Sequence, residues 1–436
     1  LAARGAGRWE QSGGIRSKFG LFISEVLDAV SLLREHDMLD CLQLLHVHLG
    51  SQINNTSSIK SAIIELTRVY VELQRAGTNI KLLDVGGGLG VDYDGSKRTA
   101  EASINYSLQE YANDVVYYVK EVCDQAGVAH PTLLSESGRA TTAYHSVLIF
   151  NVMGHSDFET FQIADLKRDK LPADLPRPIK TLVDSYRNIT VKNMTESFHD
   201  AQLARDEVIN LFNLGYCSLE HRAFAEKTFF SLCARVAKMI EPMDDPPDEL
   251  ANLPSMLSEI YFCNMSIFQS MPDSWAIDQL FPVMPIHRLN EEPGRRAILA
   301  DITCDSDGKI DHFISRRETK TSLEVHTLVP EEPYYLGVFL VGAYQEILGD
   351  LHNLLGDTNA VHVNIDKDGE ASIEEYIEGD TVREVLSYVQ FSSEDLKRSM
   401  RRCVERAVRE KRITISESRQ LLRFYESGLE GYTYLE

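Results

Sequence analysis

The sequence has no apolar run near the roughly 18 residues that a membrane-spanning helix needs, so no membrane segment is expected. Cysteine is sparse and badly placed for cross-linking. The seven residues, at 41, 123, 217, 233, 263, 304 and 403, are odd in number and form no C-x-x-C pair. That pattern excludes a disulfide framework and the common zinc motifs, and it points to a reducing, cytoplasmic setting. Positive charge is also short. Lys and Arg number 44 against 66 Asp and Glu, a net charge of −22. Nucleic acids and anionic membranes need basic patches, so neither is expected as a partner, whereas a cationic small molecule suits the surface. A signal peptide is missing, and so is an initiating Met: Leu1 leads into a Gly-rich stretch between Gly5 and Gly14 with no capped element before it. The expectation is that the natural N-terminus lies upstream of this sequence.

What remains is an ordinary globular composition, 43% hydrophobic and 25% charged over 436 residues, enough for two or three domains with ample core. Residues 1–145 alternate short strand-like runs (42–49, 80–85, 131–135) with helical patterns (57–76, 108–126) that Gly77 and Gly127 terminate. This is β–α punctuation, which implies parallel strands joined by crossover helices. Residues 155–258 carry many charges and amphipathic helical spacing, bracketed by Pro172, Pro176 and Pro178 and by Pro242, Pro246 and Pro247, and read as a helical insertion. Short strands return over 259–370, with Asp-Gly turns at 307–308 and 368–369. Amphipathic helices over 392–410 and 416–427 close the chain.

The chemistry centres on 82–91, an apolar strand that empties into Gly86, Gly87, Gly88 and Gly90. Such a loop lets the backbone approach a ligand and aim several N–H groups at one phosphate. A plain strand–helix turn is the alternative. A dinucleotide fingerprint would need glycine at Val91, and a P-loop would need lysine at Ser96. Both nucleotide readings fail, and a simpler phosphate survives. His46 and His48 lie two apart on one strand and so face one side; they could stack on an aromatic cofactor, ligate a metal or be satisfied core histidines. Glu136 and Arg139 follow another strand. Arg suits a phosphate and Glu a cationic nitrogen, or the two form a strand-end ion pair. Cys304-Asp305-Ser306-Asp307 leaves a strand; the neighbouring carboxylates make the thiol a poorer thiolate. That disfavours a nucleophile and favours proton handling or substrate contact, with an Asp-Gly turn as the alternative.

Together these stretches resemble the ornithine/diaminopimelate/arginine family of pyridoxal-phosphate (PLP) decarboxylases, of alanine-racemase fold type, and within it the bacterial biosynthetic arginine decarboxylases. The matching residues are Ser17-Lys18-Phe19-Gly20-Leu21, 46–52, 84–93, Glu136-Ser137-Gly138-Arg139, 304–308 and Gly342-Ala343-Tyr344-Gln345-Glu346. The stretch from Asn264 to Asp273 resembles the arginine enzymes' version of the specificity segment.

The resemblance implies an α/β plus all-β fold. Residues 1–145 would be the C-terminal part of a PLP-binding (β/α)8 TIM-like barrel, and 155–258 a helical insertion. Residues 146–154 with 259–370 would form a β-sandwich or barrel domain, and 371–436 a C-terminal helical extension. It further implies that His48 stacks on the cofactor ring and Glu136 pairs with the ring nitrogen. Ser51, Gly87, Gly88, Arg139 and Tyr344 would hold the phosphate. Cys304 would be catalytic, serving the protonated carbon, and Asp305, with Asp307 beside it, would contact the substrate's distal cation. In the family the Cys-Asp pair serves the partner subunit's site, so a homodimer or higher oligomer is implied. The implied reaction is decarboxylation of L-arginine to agmatine and CO2 for polyamine synthesis. The alternatives are another basic amino acid or a non-catalytic regulator. Mg2+ is implied too, with no carboxylate cluster in the sequence to place it. In the family the cofactor-bearing lysine lies on an early barrel strand in a Tyr-x-x-Lys-like context; no lysine here sits on such a strand, and the chain alone is therefore expected to be inactive.

Overall fold

The computed structural model describes residues 19–158, 175–243, 245–315 and 319–435. Ser17, Lys18, Pro172 and the Gly-rich opening lie outside them. Helix α1 (Ile23–Glu35), which the sequence reading did not anticipate, precedes a β–α series: β1 (Leu44–His46), α2 (Thr56–Arg75), β2 (Leu82–Asp84), α3 (Leu108–Ala126) and β3 (Thr132–Leu134). The strands run parallel in the order β1-β2-β3, with Leu44, Leu82 and Thr132 in register. Local chemistry fixes the helix ends. The Asn55 side chain accepts from the Ser58 N–H at the start of α2, and Ser107 and Glu110 form a reciprocal capping box on α3. Gly127 stops α3 at φ +64, in the left-handed region. Ile59, Ile63, Leu66 and Tyr70 of α2 pack with Tyr111, Val115 and Val119 of α3 over Leu83. Because the strands are parallel and in register, their C-terminal ends, at His46, Asp84 and Leu134, open on one side. The loops that leave them carry the candidate chemistry, as in other parallel α/β folds.

Helix α4 (Gly138–Thr142) leads into β4 (Val147–Ser156). Helices α5 (Arg177–Asn188), α6 (Met194–Asn213), α7 (Leu219–Ile240), α8 (Asp248–Ala251) and α9 (Leu253–Met256) follow. Their apolar stripes close a core of their own, with Leu182, Phe198, Phe229 and Leu232 buried. The chain then returns as β5 (Glu259–Cys263), antiparallel to β4. The helices are thus an excursion between two paired strands. Short helices α10 (Ile267–Ser270) and α11 (Pro272–Ile277) precede β6 (Val283–Pro285), β7 (Arg295–Ala300), β8 (Lys309–Ile310), β9 (Leu323–Val325) and β10 (Tyr334–Phe339). The sheet order is β6-β10-β4-β5-β7-β8, with β9 also on β7, over a core that includes Tyr261, Leu299, Val325 and Leu336.

Strands β11 (Ala360–Ile365) and β12 (Ala371–Ile377) form a separate hairpin. This corrects the expectation that 371–436 is helical throughout and that the β region stops at 370. The turn at Asp368-Gly369, where Gly369 takes φ +87, folds the chain back so that β12 pairs with β11. Helices α12 (Val382–Tyr388), α13 (Ser393–Arg409) and α14 (Ile415–Leu429) follow. The C-terminal segment returns to the sheet: Leu435 exchanges hydrogen bonds with the Asn264 side chain at 2.5 and 3.1 Å.

Candidate active site

Asp84, the last residue of β2 and buried, organises the start of the glycine loop. One carboxylate oxygen accepts the Gly86 N–H at 2.9 Å and the other lies 2.8 Å from His46 Nδ1. Gly86 has φ +70, and a Cβ there would stand 1.8 Å from the Val47 carbonyl oxygen. Only glycine fits the loop at that point. Gly86→Ala is expected to cost about 3 kcal/mol or more, through the clash and the left-handed backbone together, read as a lowered denaturation midpoint.

The next glycine joins two of the predicted residues. A Cβ on Gly87 would lie 2.9 Å from the Glu136 carbonyl oxygen and 3.2 Å from the His48 ring. Glu136 in turn donates its N–H to the Gly86 carbonyl at 2.9 Å. His48 sits just beyond β1 rather than within it, so the expected strand pair of histidines divides: His46 engages Asp84 and His48 faces the glycines. Partial burial, then the neighbouring His46, hold the His48 pKa below its ordinary value, favouring the neutral ring that stacking on an aromatic face requires. Phe19 stands edge-on to His48 at 6.5 Å. Gly88 accepts the Ile53 N–H at 2.9 Å, which ties the loop to the segment that follows Ser51.

Arg139, from α4, is 5% exposed. Its Nε donates to Ser51 Oγ at 3.2 Å and a terminal nitrogen donates to the Tyr93 hydroxyl at 2.8 Å. The guanidinium lies 5.3 Å from the Tyr344 ring centre. Among the described residues Arg139 has no carboxylate ion-pair partner, so the strand-end Glu136–Arg139 pair does not form. Tyr344 arrives from beyond β10, and a Cβ on Gly138 would meet its hydroxyl at 3.1 Å. Seven residues predicted from sequence, His48, Ser51, Gly87, Gly88, Glu136, Arg139 and Tyr344, therefore gather around one loop system. Tyr93 was missed. It lies within the quoted 84–93 motif, yet only the fold reveals it as the buried partner of Arg139, with burial the leading cause of its raised pKa.

Cys304 and Asp305 occupy a different place, in the exposed link between β7 and β8. Their side chains engage Asn353 and His352: Asn353 Nδ2 lies 3.4 Å from Cys304 Sγ, and His352 Nε2 lies 2.5 Å from Asp305 Oδ2. Asp307 is exposed in the same turn and stands outside this group, with its backbone carbonyl accepting the Lys309 N–H. Among the described residues, Cys304, Asp305 and His352 are the one grouping of three His, Cys, Asp or Glu ligand atoms within 4.8 Å of one another. Mg2+ prefers an octahedron of oxygens, so a thiol, an imidazole and one carboxylate do not fit it. His352 and Asn353 carry no local sequence signal, because the contacts that matter are long-range.

Three family models match the chain: "Pyridoxal-dependent decarboxylase, pyridoxal binding domain" over residues 2–143, "Arginine decarboxylase helical bundle domain" over 172–254, and "Arginine decarboxylase C-terminal helical extension" over 382–435. The biosynthetic arginine decarboxylase of Rhodopirellula baltica is 50% identical over the whole chain, which spans 69% of that protein. That of Nostoc sp. is 51% identical, again over the whole chain, which spans 63% of it. The crystal structure of the biosynthetic arginine decarboxylase of Campylobacter jejuni superposes with a TM-score of 0.82 at 34% identity, covering 96% of this chain and 67% of that one. The chain belongs to the biosynthetic arginine decarboxylases of the pyridoxal-dependent decarboxylase family.

Proposed function

We propose that the protein decarboxylates L-arginine to agmatine and CO2, with PLP as cofactor, in a homodimer or larger homo-oligomer whose sites are shared between subunits. The observation that carries this reading is Arg139. A buried guanidinium whose hydrogen-bond partners, among the described residues, are two hydroxyls, beside a glycine loop, is a cation in want of an anion. It has five N–H donors in a planar fork, a good match to a phosphate. The glycine loop adds a cradle that a side chain would fill. The names of the relatives support arginine as the substrate.

When bound, PLP supplies the electron sink for the electrons released as CO2 departs. The protein's part is binding, orientation and proton handling. Arg139 and Ser51 bind the phosphate together with N–H groups of the Gly87-Gly88 loop, and Tyr344 closes over it. His48, kept neutral, covers one face of the ring without adding charge. Glu136 accepts the ring N–H and so keeps that nitrogen protonated. Cys304, contributed from the neighbouring subunit, donates its thiol proton to the carbon that has lost CO2. Asp305 receives the substrate's guanidinium.

The Tyr-x-x-Lys of this sequence, Tyr117 to Lys120, lies within helix α3 rather than on a strand; the assay is made on the full-length gene product, with PLP added. CO2 and agmatine released from arginine, with ornithine, lysine and diaminopimelate inert, is the expected result. PLP bound without CO2 from any of the four substrates would replace this reading with a non-catalytic, decarboxylase-like one. CO2 from ornithine, lysine or diaminopimelate but not arginine would keep the chemistry and change the substrate.

A further inference from the structure

The turn His352–Leu354 grips both members of the Cys304-Asp305 pair, one residue to each. Asn353 takes φ +55 and ψ +21, a left-handed conformation that asparagine adopts more readily than most residues. In that pose its amide turns back on residue 304. Oδ1 accepts the Cys304 backbone N–H at 3.0 Å and Nδ2 lies 3.4 Å from Sγ. One side chain thereby fixes both the backbone and the thiol of the same cysteine. His352 reaches the other way, with Nε2 at 2.5 Å from Asp305 Oδ2. Its ring packs at 4.6 Å from that of Phe268, and the Phe268 carbonyl accepts the Asp350 N–H at 3.0 Å. The turn is therefore anchored to the 264–273 segment on one side and to the Cys-Asp pair on the other.

We infer that Asn353 and His352 are separate positioning residues: Asn353 aims the Cys304 thiol at the carbon it protonates, and His352 sets the Asp305 carboxylate for the substrate's cationic end. This rests on the function proposed above for Cys304 and Asp305. The two adjacent residues divide the work by chemistry. With the amide N–H directed at sulfur, the S–H is left free to point elsewhere. When the thiol proton moves to carbon, the S–H bond breaks and the C–H bond forms with the electron pair left by CO2. The thiolate that remains keeps the amide donor, and a hydrogen bond to a charged form favours that form. Within the Cys304-Asp305 pair the ion-pair contact of His352 is to the Asp305 carboxylate, so its influence falls on substrate binding.

The experiment compares Asn353→Gly, Asn353→Asp and His352→Ala with Cys304→Ala in the PLP-loaded, full-length enzyme, measuring CO2 and agmatine separately. Glycine keeps the left-handed turn and removes the amide. Aspartate keeps the acceptor for the Cys304 N–H and removes the donor to sulfur. Both are expected to lower agmatine by about tenfold, with CO2 in excess of agmatine, because a misaimed thiol misses its carbon after CO2 has gone. His352→Ala is expected to raise the KM for arginine about tenfold, with kcat less affected and the two products equal. If Cys304→Ala separates CO2 from agmatine and the Asn353 variants lower both equally, the positioning role is overturned and the turn is merely structural. A His352→Ala loss confined to kcat overturns the second half. If Cys304→Ala itself leaves the products equal, the failure lies in the reading of Cys304.

Discussion

Cys304→Ala is expected to cut agmatine formation by about 10²–10⁴-fold, the span typical of a lost general acid, while leaving PLP absorbance unchanged. The separation follows from where the residue sits. The phosphate-binding candidates converge on the glycine loop, whereas the side-chain contacts of Cys304 run to Asn353. Removing a thiol at the second place does not loosen a cofactor held at the first. CO2 release should therefore outlast agmatine release. Mixing Cys304→Ala with a Glu136→Ala variant should restore activity above either alone, because a mixed dimer has one site with both residues intact when the site is shared across a two-fold interface. Loss of PLP absorbance in Cys304→Ala, or no recovery on mixing, would show that the residue does not act from a neighbouring subunit on a bound cofactor.

Arg139→Ala is the second large effect, and it acts on binding. Hydrogen bonds to a charged group contribute about 1.5–3 kcal/mol, so PLP affinity should fall about 10- to 100-fold, measured by titration of the cofactor's absorbance. Stability should fall as well. The Tyr93 hydroxyl, on a residue only 2% exposed, loses its guanidinium donor, at a cost of about 1–3 kcal/mol for a buried polar group left unsatisfied. Arg139→Lys should restore the charge but only part of the affinity, since an ammonium lacks the planar fork that reaches Ser51, Tyr93 and a phosphate at once. Unchanged PLP affinity in Arg139→Ala would remove the phosphate from this position.

The β–α order of the first part was legible because its signals are local. Period, caps and a terminal glycine set α2 and α3 close to where the apolar spacing placed them. The sequence did not reveal α1, whose Ile23, Leu27 and Leu32 are exposed and whose buried contact is Val30; a helix with so little buried face lacks a clear stripe. Strand β12 was misread for a related reason. Both strands of its hairpin are largely exposed, so no inside–outside alternation marks it. At the site, His48, Ser51, Glu136 and Arg139 were findable as polar residues beyond strand ends, but their grouping with Tyr344 was carried by family resemblance rather than by spacing. Asp307, read with Asp305 as a contact for a cationic substrate, lies exposed in the same turn and outside the Cys304-Asp305-His352 group. Tyr93, His352 and Asn353 act through contacts that join distant parts of the chain, and nothing in their neighbours' identities announces that.

The helical excursion has a consequence for how such a protein can change over time. It leaves the sheet at the end of β4 and returns at the start of β5, and those strands pair directly, Ser156 opposite Ile260. The ladder that joins them does not register what lies between, and each doubling of a connecting loop costs only about 0.6 kcal/mol of closure entropy. With its own closed core, the excursion resembles a passenger carried on a hairpin. Selection can enlarge, trim or resurface it without retuning the strands, so a lineage can try out new surfaces there while the glycine loop stays as it is.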